Sequence, residues 1–381
     1  MEKKRICFVV ETPYQILVSI SILSSVDKSS VDADLYIGTV FQNAESIANR
    51  IIETKLFKNV YLYNPYLYKK AKFLKKAGIM LNPRKKLKTV LKHDFNDMNF
   101  DYDEVYFSTI LVPAEAIVNL NKNIRVFWID DGMESYIGDT PDPMSFHRMY
   151  TPLFVLAGLN PKRLYPEAVY LMNPSFCDKH PFCDDIREVS IPDSDEWINA
   201  IKSIFEYRKT DVYPSPSVVY LTNPDDFGLN SNNRTSLLSV QEVLSDVCNS
   251  KEMTLIRRKH PRELSNDTPI SVDFTEDNTN NMWEMLCRYE ISDQHILVAL
   301  FSTAQFTPCM LFGKEPWIIF LYEIAQNGIS EEIRNNMNNV VNTLKQHYNS
   351  PEKIIVPTTI DELRLYLNKI GNNSVRNSIN E

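Results

Sequence analysis

The chain of 381 residues repeats one short pattern, an apolar run followed by a helix-like segment, and this repetition limits the folds open to it. The apolar runs are short and rich in Val, Ile, Tyr and Phe, which predicts strands buried on both faces. The segments between them carry helix-start signals, of which Thr12 as N-cap and Pro13 as first helical residue are the clearest. Strands that alternate with helices predict parallel, doubly wound α/β sheets.

The pattern runs twice along the chain, with an irregular region between the two halves. The predicted strands are 5–10, 32–40, 60–64, 104–110 and 124–130 in the first half, and 218–222, 253–258, 270–275, 295–301 and 316–322 in the second. Residues 131–215 hold many Pro, Asp and Asn, and YPSPS at 213–217 predicts a domain boundary. We therefore expect two Rossmann-like domains, 1–195 and 213–381, joined by a linker helix at about 195–212.

Four polar motifs follow predicted strand ends. They are Asp130-Asp131-Gly132, the TNPDD segment at 222–226, the KHPRE segment at 259–263 and the FSTA segment at 301–304. Each has a structural alternative, since the first two are good turns, His-Pro can be a strand exit and Ser-Thr can be an N-cap. Parallel sheets bind ligands at the carboxyl ends of their strands, so together the motifs predict a ligand cleft between the two domains.

The residue types in these motifs suit one kind of chemistry. The second-domain motifs offer a histidine among four cations (Arg257, Arg258, Lys259 and Arg262) and hydroxyls at a helix start. Hydroxyls and backbone N–H groups at a helix start bind anionic phosphate, and a histidine can protonate a departing phosphate oxygen. A carboxylate can accept the proton of an attacking sugar hydroxyl. The combination favours metal-free glycosyl transfer from a nucleotide sugar.

Taken in order, these motifs resemble a known family. The series Asp-Asp-Gly, Asn-Pro-Asp, His-Pro-Arg and Ser-Thr resembles the bacterial sialyltransferases of glycosyltransferase family 52, and ETPYQILVSISIL at 11–23 resembles their first strand–helix unit. The likeness covers residues 5–320 in layout, although only the short motifs match closely. It implies a GT-B fold, in which two Rossmann-like domains face a central cleft. It also implies inverting, metal-independent transfer from CMP-sialic acid to a galactose-type hydroxyl of a surface glycan, with an α-2,3 linkage.

The resemblance also implies a role for each matching residue. The general base is Asp225, with its neighbour Asp226 left open, and the general acid is His260. Related families take the base from Asp-Asp-Gly, which leaves Asp131 as an alternative base or an acceptor contact. The implied nucleotide-binding residues are His260, Pro261, Arg262, Ser302 and Thr303, and the implied acceptor residues are Gln15, Asp130, Asp131 and Gly132.

The charge and the cysteine content of the chain indicate which partners it binds and in which cellular compartment it lies. The net charge of −8 argues against a nucleic-acid partner. Ten Lys or Arg and no acid lie between Lys69 and Lys92, which predicts either a solvated helix face or a peripheral contact with anionic lipid. The scattered cysteines and the missing signal peptide predict a cytoplasmic protein, with any membrane contact at the inner face.

Several alternatives remain at this point. Cys177, His180 and Cys183 have metal-ligand spacing but lack a fourth ligand, so we expect no metal site. No cofactor is expected beyond the donor substrate, and the resemblance allows a homodimer. A GT-B enzyme with another nucleotide sugar and a non-catalytic glycan-binding or scaffold protein are the competing functions.

Overall fold

The structure is a computed structural model with two compact units, Met1–Phe205 and Glu206–Glu381. It describes residues 3–67, 79, 81–91, 99–108, 111–136, 142–144, 159–177, 179–222, 231–260, 270–325 and 329–378. All statements below concern these residues.

The first unit is built on one parallel sheet. Its strands are β1 Lys4–Val10, β2 Val31–Gly38, β3 Asn59–Tyr63, β4 Glu104–Phe107, β5 Arg125–Ile129, β6 Ala168–Leu171 and β7 Ile186–Glu188. They lie in the order β3-β2-β1-β4-β5-β6-β7, and every pair is parallel. The helices are α1 Pro13–Ser24, α2 Ala44–Thr54, α3 Pro83–Val90, α4 Val112–Leu120 and α5 Asp195–Ile204.

The second unit repeats the plan. Its strands are β8 Ser217–Leu221, β9 Thr254–Arg258, β10 Thr275–Glu276, β11 Ile296–Ala299, β12 Trp317–Phe320 and β13 Ile354–Ile355. They lie in the order β10-β9-β8-β11-β12-β13, again with every pair parallel. The helices are α6 Ser231–Ser250, α7 Trp283–Tyr289, α8 Thr307–Phe312, α9 Glu331–His347 and α10 Ile360–Ser378.

Both sheets have the strand order of the Rossmann fold, third-second-first-fourth-fifth-sixth, and the first adds one strand. The predicted fold class, two doubly wound parallel-sheet α/β domains, is confirmed. In such a sheet the order reverses between the first and fourth strands, and ligands bind beside that switch point. The switch points lie between β1 and β4 in the first unit and between β8 and β11 in the second.

The start of α1 shows how the sequence determines local structure. Thr12 is extended, and its hydroxyl accepts the backbone N–H of Gln15 at 3.2 Å, as expected of an N-cap. Pro13 fills the first turn, where its missing N–H leaves no bond unmade. Nine consecutive residues of α1, from Gln15 to Leu23, are buried. The helix start is thereby fixed beside the carboxyl end of β1.

The sequence did not reveal three short strands. Strands β6 and β7 lie in the region that looked irregular, and β13 has only two residues. Runs of two to four residues are too short to show a period. The strand predicted at 270–275 was wrong in extent, since β10 begins only at Thr275. Of these strands, β7, β10 and β13 form sheet edges and β6 lies next to β7. Pairing with a neighbour therefore decides their structure more than composition does.

Candidate functional site

A buried glutamine joins the ends of three strands at the switch point of the first sheet. Gln15 is 2% exposed, and its carbonyl oxygen accepts the backbone N–H of Glu11 at 2.6 Å. Its amide nitrogen donates to the Ser108 hydroxyl at 2.7 Å and to Asp131 Oδ1 at 2.5 Å. Glu11 follows β1, Ser108 follows β4 and Asp131 lies beyond β5. One side chain therefore connects the carboxyl ends of three adjacent strands.

The Asp-Asp-Gly turn holds its two carboxylates differently. Asp130 is fully buried and accepts N–H groups of Gly132 at 2.8 Å and Met172 at 3.0 Å, and it also accepts the Tyr136 hydroxyl. Burial raises the pKa of Asp130 to about 6, although these hydrogen bonds oppose the rise. Asp131 is half-buried. Asp130 thus fixes the turn, and Asp131 is the carboxylate that a ligand can reach.

The glycine of the turn is required by the backbone. Gly132 has φ of 84°, a conformation that side chains rarely adopt. The Asp131 N–H donates to the Ser135 hydroxyl at 2.9 Å, which closes the turn from the other side. The four residues predicted for acceptor binding (Gln15, Asp130, Asp131 and Gly132) therefore lie in one hydrogen-bonded cluster.

Sequence reasoning missed a further carboxylate at this edge. Glu11 is half-buried, and its Oε1 accepts the hydroxyl of the fully buried Tyr63 at 2.9 Å. Tyr63 is the last residue of β3. A Cβ on Gly38, the last residue of β2, would lie 2.7 Å from Glu11 Cγ, so the glycine makes room for this side chain. The signal was available, because Glu11 directly follows a predicted strand as the four motifs do.

In the second unit, His260 lies just after a strand next to β8, which flanks the switch point. The His260 N–H donates to the Thr222 hydroxyl at 2.9 Å, and the Thr222 N–H donates to the Arg258 carbonyl at 3.0 Å. Thr222 follows β8 and His260 follows the neighbouring β9. Thr222 is 4% exposed and His260 is half-buried. The buried Thr222, just after β8, thus fixes the backbone where the chain leaves β9.

The Ser-Thr motif follows β11, on the other side of β8. Ser302 caps a three-residue 3-10 turn, Thr303–Gln305, with a capping box: its hydroxyl accepts the Ala304 N–H, and Gln305 accepts the Ser302 N–H. The longer helix that follows, α8, begins at Thr307 with Pro308 in its first turn. Ser302 is half-buried and Thr303 is exposed. Capping uses the Ser302 oxygen as an acceptor and leaves its O–H able to donate.

Two of the four cations expected around His260 are paired with acidic residues. Arg257 is 4% exposed and pairs with Glu276 at 2.9 Å. Arg258 pairs with the buried carboxylate of Asp277 and donates to the Asn281 carbonyl at 2.8 Å. Both guanidinium groups bind acids on or beside the edge strand β10. Lys259 is the exposed cation next to His260 within the described residues.

Part of the predicted site lies outside the described residues. These positions are Asp225, the expected base, with Asp226, and Pro261 and Arg262 of the His-Pro-Arg motif. Their roles stay predictions.

His180, which the sequence places between Cys177 and Cys183, packs in the protein core. His180 is 2% exposed, stacks edge-on against Trp128 with ring centroids 5.8 Å apart, and its burial lowers its pKa. Cys177 is also buried. Across the described part of the chain, no three His, Cys, Asp or Glu side chains are grouped as metal ligands.

The basic stretch between Lys69 and Lys92 is described only at 79 and 81–91. Within it, Lys86 is buried and pairs with the buried Glu115 on α4. Arg84, Lys85 and Lys88 are exposed. Lys86 therefore stabilises the packing of α3 on α4, whereas these three described neighbours are exposed to a partner. No helix in the described ranges is long and apolar enough to span a bilayer.

Comparisons with known proteins concern the fold. No family model and no curated protein matches the sequence. Similar solved structures include a putative UDP-N-acetylglucosamine 2-epimerase from Listeria monocytogenes, at 10% identity, 93% of this chain, 90% of that chain and a TM-score of 0.48. Another is the UDP-GlcNAc 2-epimerase of Methanocaldococcus jannaschii, at 13% identity over 99% of this chain and 100% of that chain, with a TM-score of 0.46. A spinosyn forosaminyltransferase is similar at 12% identity over 98% of this chain and 96% of that chain, with a TM-score of 0.43. At these values, the likeness carries no information about substrate or reaction.

Proposed function

We propose that this protein is a GT-B glycosyltransferase that moves a sugar from a nucleotide donor to a hydroxyl acceptor. The observation that carries the proposal is the carboxyl edge of the second sheet. Three adjacent strands, β9, β8 and β11, are followed by His260, Thr222 and Ser302-Thr303, near the switch point where such folds bind ligands. The order of the motifs favours CMP-sialic acid as donor and a galactose-type hydroxyl as acceptor, with an α-2,3 linkage.

The second unit would bind the donor. The O–H of Ser302, the hydroxyl of the exposed Thr303 and the ammonium group of the exposed Lys259 can all donate hydrogen bonds to a phosphate. His260, held by Thr222, would protonate the phosphate oxygen as its bond to the anomeric carbon of the sugar breaks. The nucleotide then leaves as CMP.

The first unit would bind the acceptor. As the acceptor oxygen forms its bond to the anomeric carbon, a carboxylate takes the hydroxyl proton, and attack from the opposite face inverts the configuration. We assign this base to Asp225 and keep Asp131 as the alternative. Gln15 and Asp130 act as positioning residues, because their polar groups are bonded within the protein.

The donor class can be tested by thermal unfolding of the full chain with CMP or UDP. A ligand that binds only the folded protein raises the melting temperature by mass action. A shift with CMP and not with UDP is expected, together with hydrolysis of CMP-sialic acid. A shift with UDP alone would instead support another nucleotide sugar, and no shift with either would overturn the proposal.

A further inference from the structure

A carboxylate outside the four polar motifs is held at the proposed acceptor edge of the first sheet. Glu11 directly follows β1, which is one of the two strands that flank the switch point. Its backbone N–H is bonded to Gln15, whose amide also binds Asp131. Glu11 and Asp131 are therefore fixed on either side of one buried glutamine. Both are half-buried, so both remain accessible to a small ligand.

Two buried residues hold the side chain in this place. The Tyr63 hydroxyl donates to Glu11 Oε1 at 2.9 Å, from a ring that is fully buried. Burial raises the pKa of Tyr63 well above its usual value, and the charge of Glu11 raises it further, so Tyr63 remains a hydrogen-bond donor. Gly38 leaves the space that the Glu11 side chain crosses. Three strand ends, those of β1, β2 and β3, thus converge on one carboxylate.

We propose that Glu11 binds a hydroxyl group of the acceptor sugar and so determines acceptor affinity in the proposed transfer reaction. A carboxylate has two oxygens with several lone pairs and can accept several hydrogen bonds, one of which comes from Tyr63. Hydrogen bonds to an ionised carboxylate are about twice as strong as those between neutral groups. A few such polar groups are enough to orient a ligand in its site. This inference rests on the proposed function, since it needs a sugar acceptor.

The test measures transfer to lactose by the full chain with CMP-sialic acid as donor. Glu11→Gln keeps the shape of the side chain and removes its charge. We expect the KM for lactose to rise at least about tenfold, the loss typical of one charge-assisted hydrogen bond. The thermal shift with CMP is expected to remain, because the CMP-binding residues lie in the other unit.

Matched variants separate binding from folding. Glu53→Gln removes an exposed carboxylate from the same unit and is expected to leave the KM for lactose unchanged. Tyr63→Phe keeps the charge of Glu11 but removes its anchoring O–H, and a smaller rise in KM is expected.

The outcomes distinguish this inference from the proposed function. A KM for lactose within twofold of wild type in Glu11→Gln would overturn the inference, and so would donor hydrolysis by a wild-type protein that does not use lactose. Loss of the CMP shift in Glu11→Gln would also count against it, because that result indicates damaged folding. A wild-type protein with no CMP shift would instead overturn the proposed function.

Discussion

Two neighbouring carboxylates, Asp130 and Asp131, have opposite environments. Asp130 is buried and binds two backbone N–H groups and a tyrosine hydroxyl, whereas Asp131 is half-buried and binds the amide of Gln15. A buried carboxyl group surrounded by donors stabilises a turn, and an accessible one can meet a ligand. The two residues therefore require different tests.

Asp130 should make the stability of the protein depend on pH. Burial raises its pKa to about 6. A carboxyl group with a higher pKa in the folded state stabilises the fold most when protonated. Its contribution is complete below about pH 4 and is lost as the pH rises through its folded pKa.

The variant Asp130→Asn removes this titration. We expect the free energy of unfolding of wild type, relative to that of Asp130→Asn, to fall by up to about 3 kcal/mol between pH 4 and pH 7. Above about pH 7 this difference should stay constant. Urea unfolding at several pH values measures the difference, with the exposed Asp101→Asn as control. A difference that does not change with pH would contradict the assignment.

His260 is the residue on which the proposed chemistry depends most. We expect His260→Ala to lower the transfer rate by about 10²–10⁴, the contribution of one acid–base group, while CMP still raises the melting temperature. Thr222→Val removes the hydroxyl that accepts the His260 N–H, so a smaller loss of rate is expected from misplacement of the imidazole. Steady-state kinetics measures both. An unchanged transfer rate in His260→Ala would contradict the role of His260 as the general acid.

At the scale of elements, strand β9 is tied to the edge strand β10 by ion pairs. The Arg258 side chain is 16% exposed and the Asp277 side chain 0%. Arg258 holds the pKa of Asp277 below its usual value, although burial acts in the opposite direction. Tyr213 also donates to Asp277, at 2.5 Å. The pair therefore stabilises the edge of the second sheet.

Removing one partner of a buried ion pair leaves the other charge uncompensated. We expect Arg258→Met to destabilise the protein by about 3–5 kcal/mol. The exposed neighbour Lys259→Met should change stability by less than about 0.5 kcal/mol. Urea denaturation of the two variants gives the comparison. Equal stabilities would show that the cation contributes little to the edge.

Helix α3 shows how one helix can carry structural and exposed cations together. Leu87 and Val90 face the core beside Lys86, whose partner is Glu115. The opposite face carries Arg84, Lys85 and Lys88. Among the described cations of the basic stretch, this second set is the one available for a membrane contact.

At the scale of the molecule, charge is divided unevenly. Between Lys69 and Lys92 the chain carries only positive charges, whereas its net charge is −8. An anionic surface would therefore attract one region and repel the rest, and each basic residue near such a surface contributes about 1 kcal/mol.

This distribution predicts binding to vesicles that contain phosphatidylserine. We expect Lys85→Glu with Lys88→Glu to weaken sedimentation with such vesicles by about tenfold or more at low salt. The control, Lys122→Glu with Lys162→Glu, changes the same charge at exposed positions elsewhere in the unit and should have a smaller effect. Equal vesicle binding by both double variants would show that α3 does not make the membrane contact.

The sequence by itself determined the two parallel sheets and most of their elements. Strand and helix periods are local properties, so β1, α1 and β5 could be predicted from their own residues. The family resemblance grouped Gln15 with Asp131 and Gly132 as acceptor residues, and the structure brings them into one hydrogen-bonded cluster. Parallel strands end at the same side of a sheet, so a motif just past a strand end was expected at that edge.

Only the tertiary structure decided which of these polar residues are accessible. Asp130 and Asp131, or Arg258 and Lys259, are adjacent and alike in sequence, but they differ in the partners that distant strands bring to them. The partners Met172 and Asp277 lie on or beside strands β6 and β10, which carry little local signal. Glu11 owes its fixed position to Tyr63 and Gly38, again on other strands. Burial and long-range pairing depend on the whole fold, so they could not be predicted from local pattern.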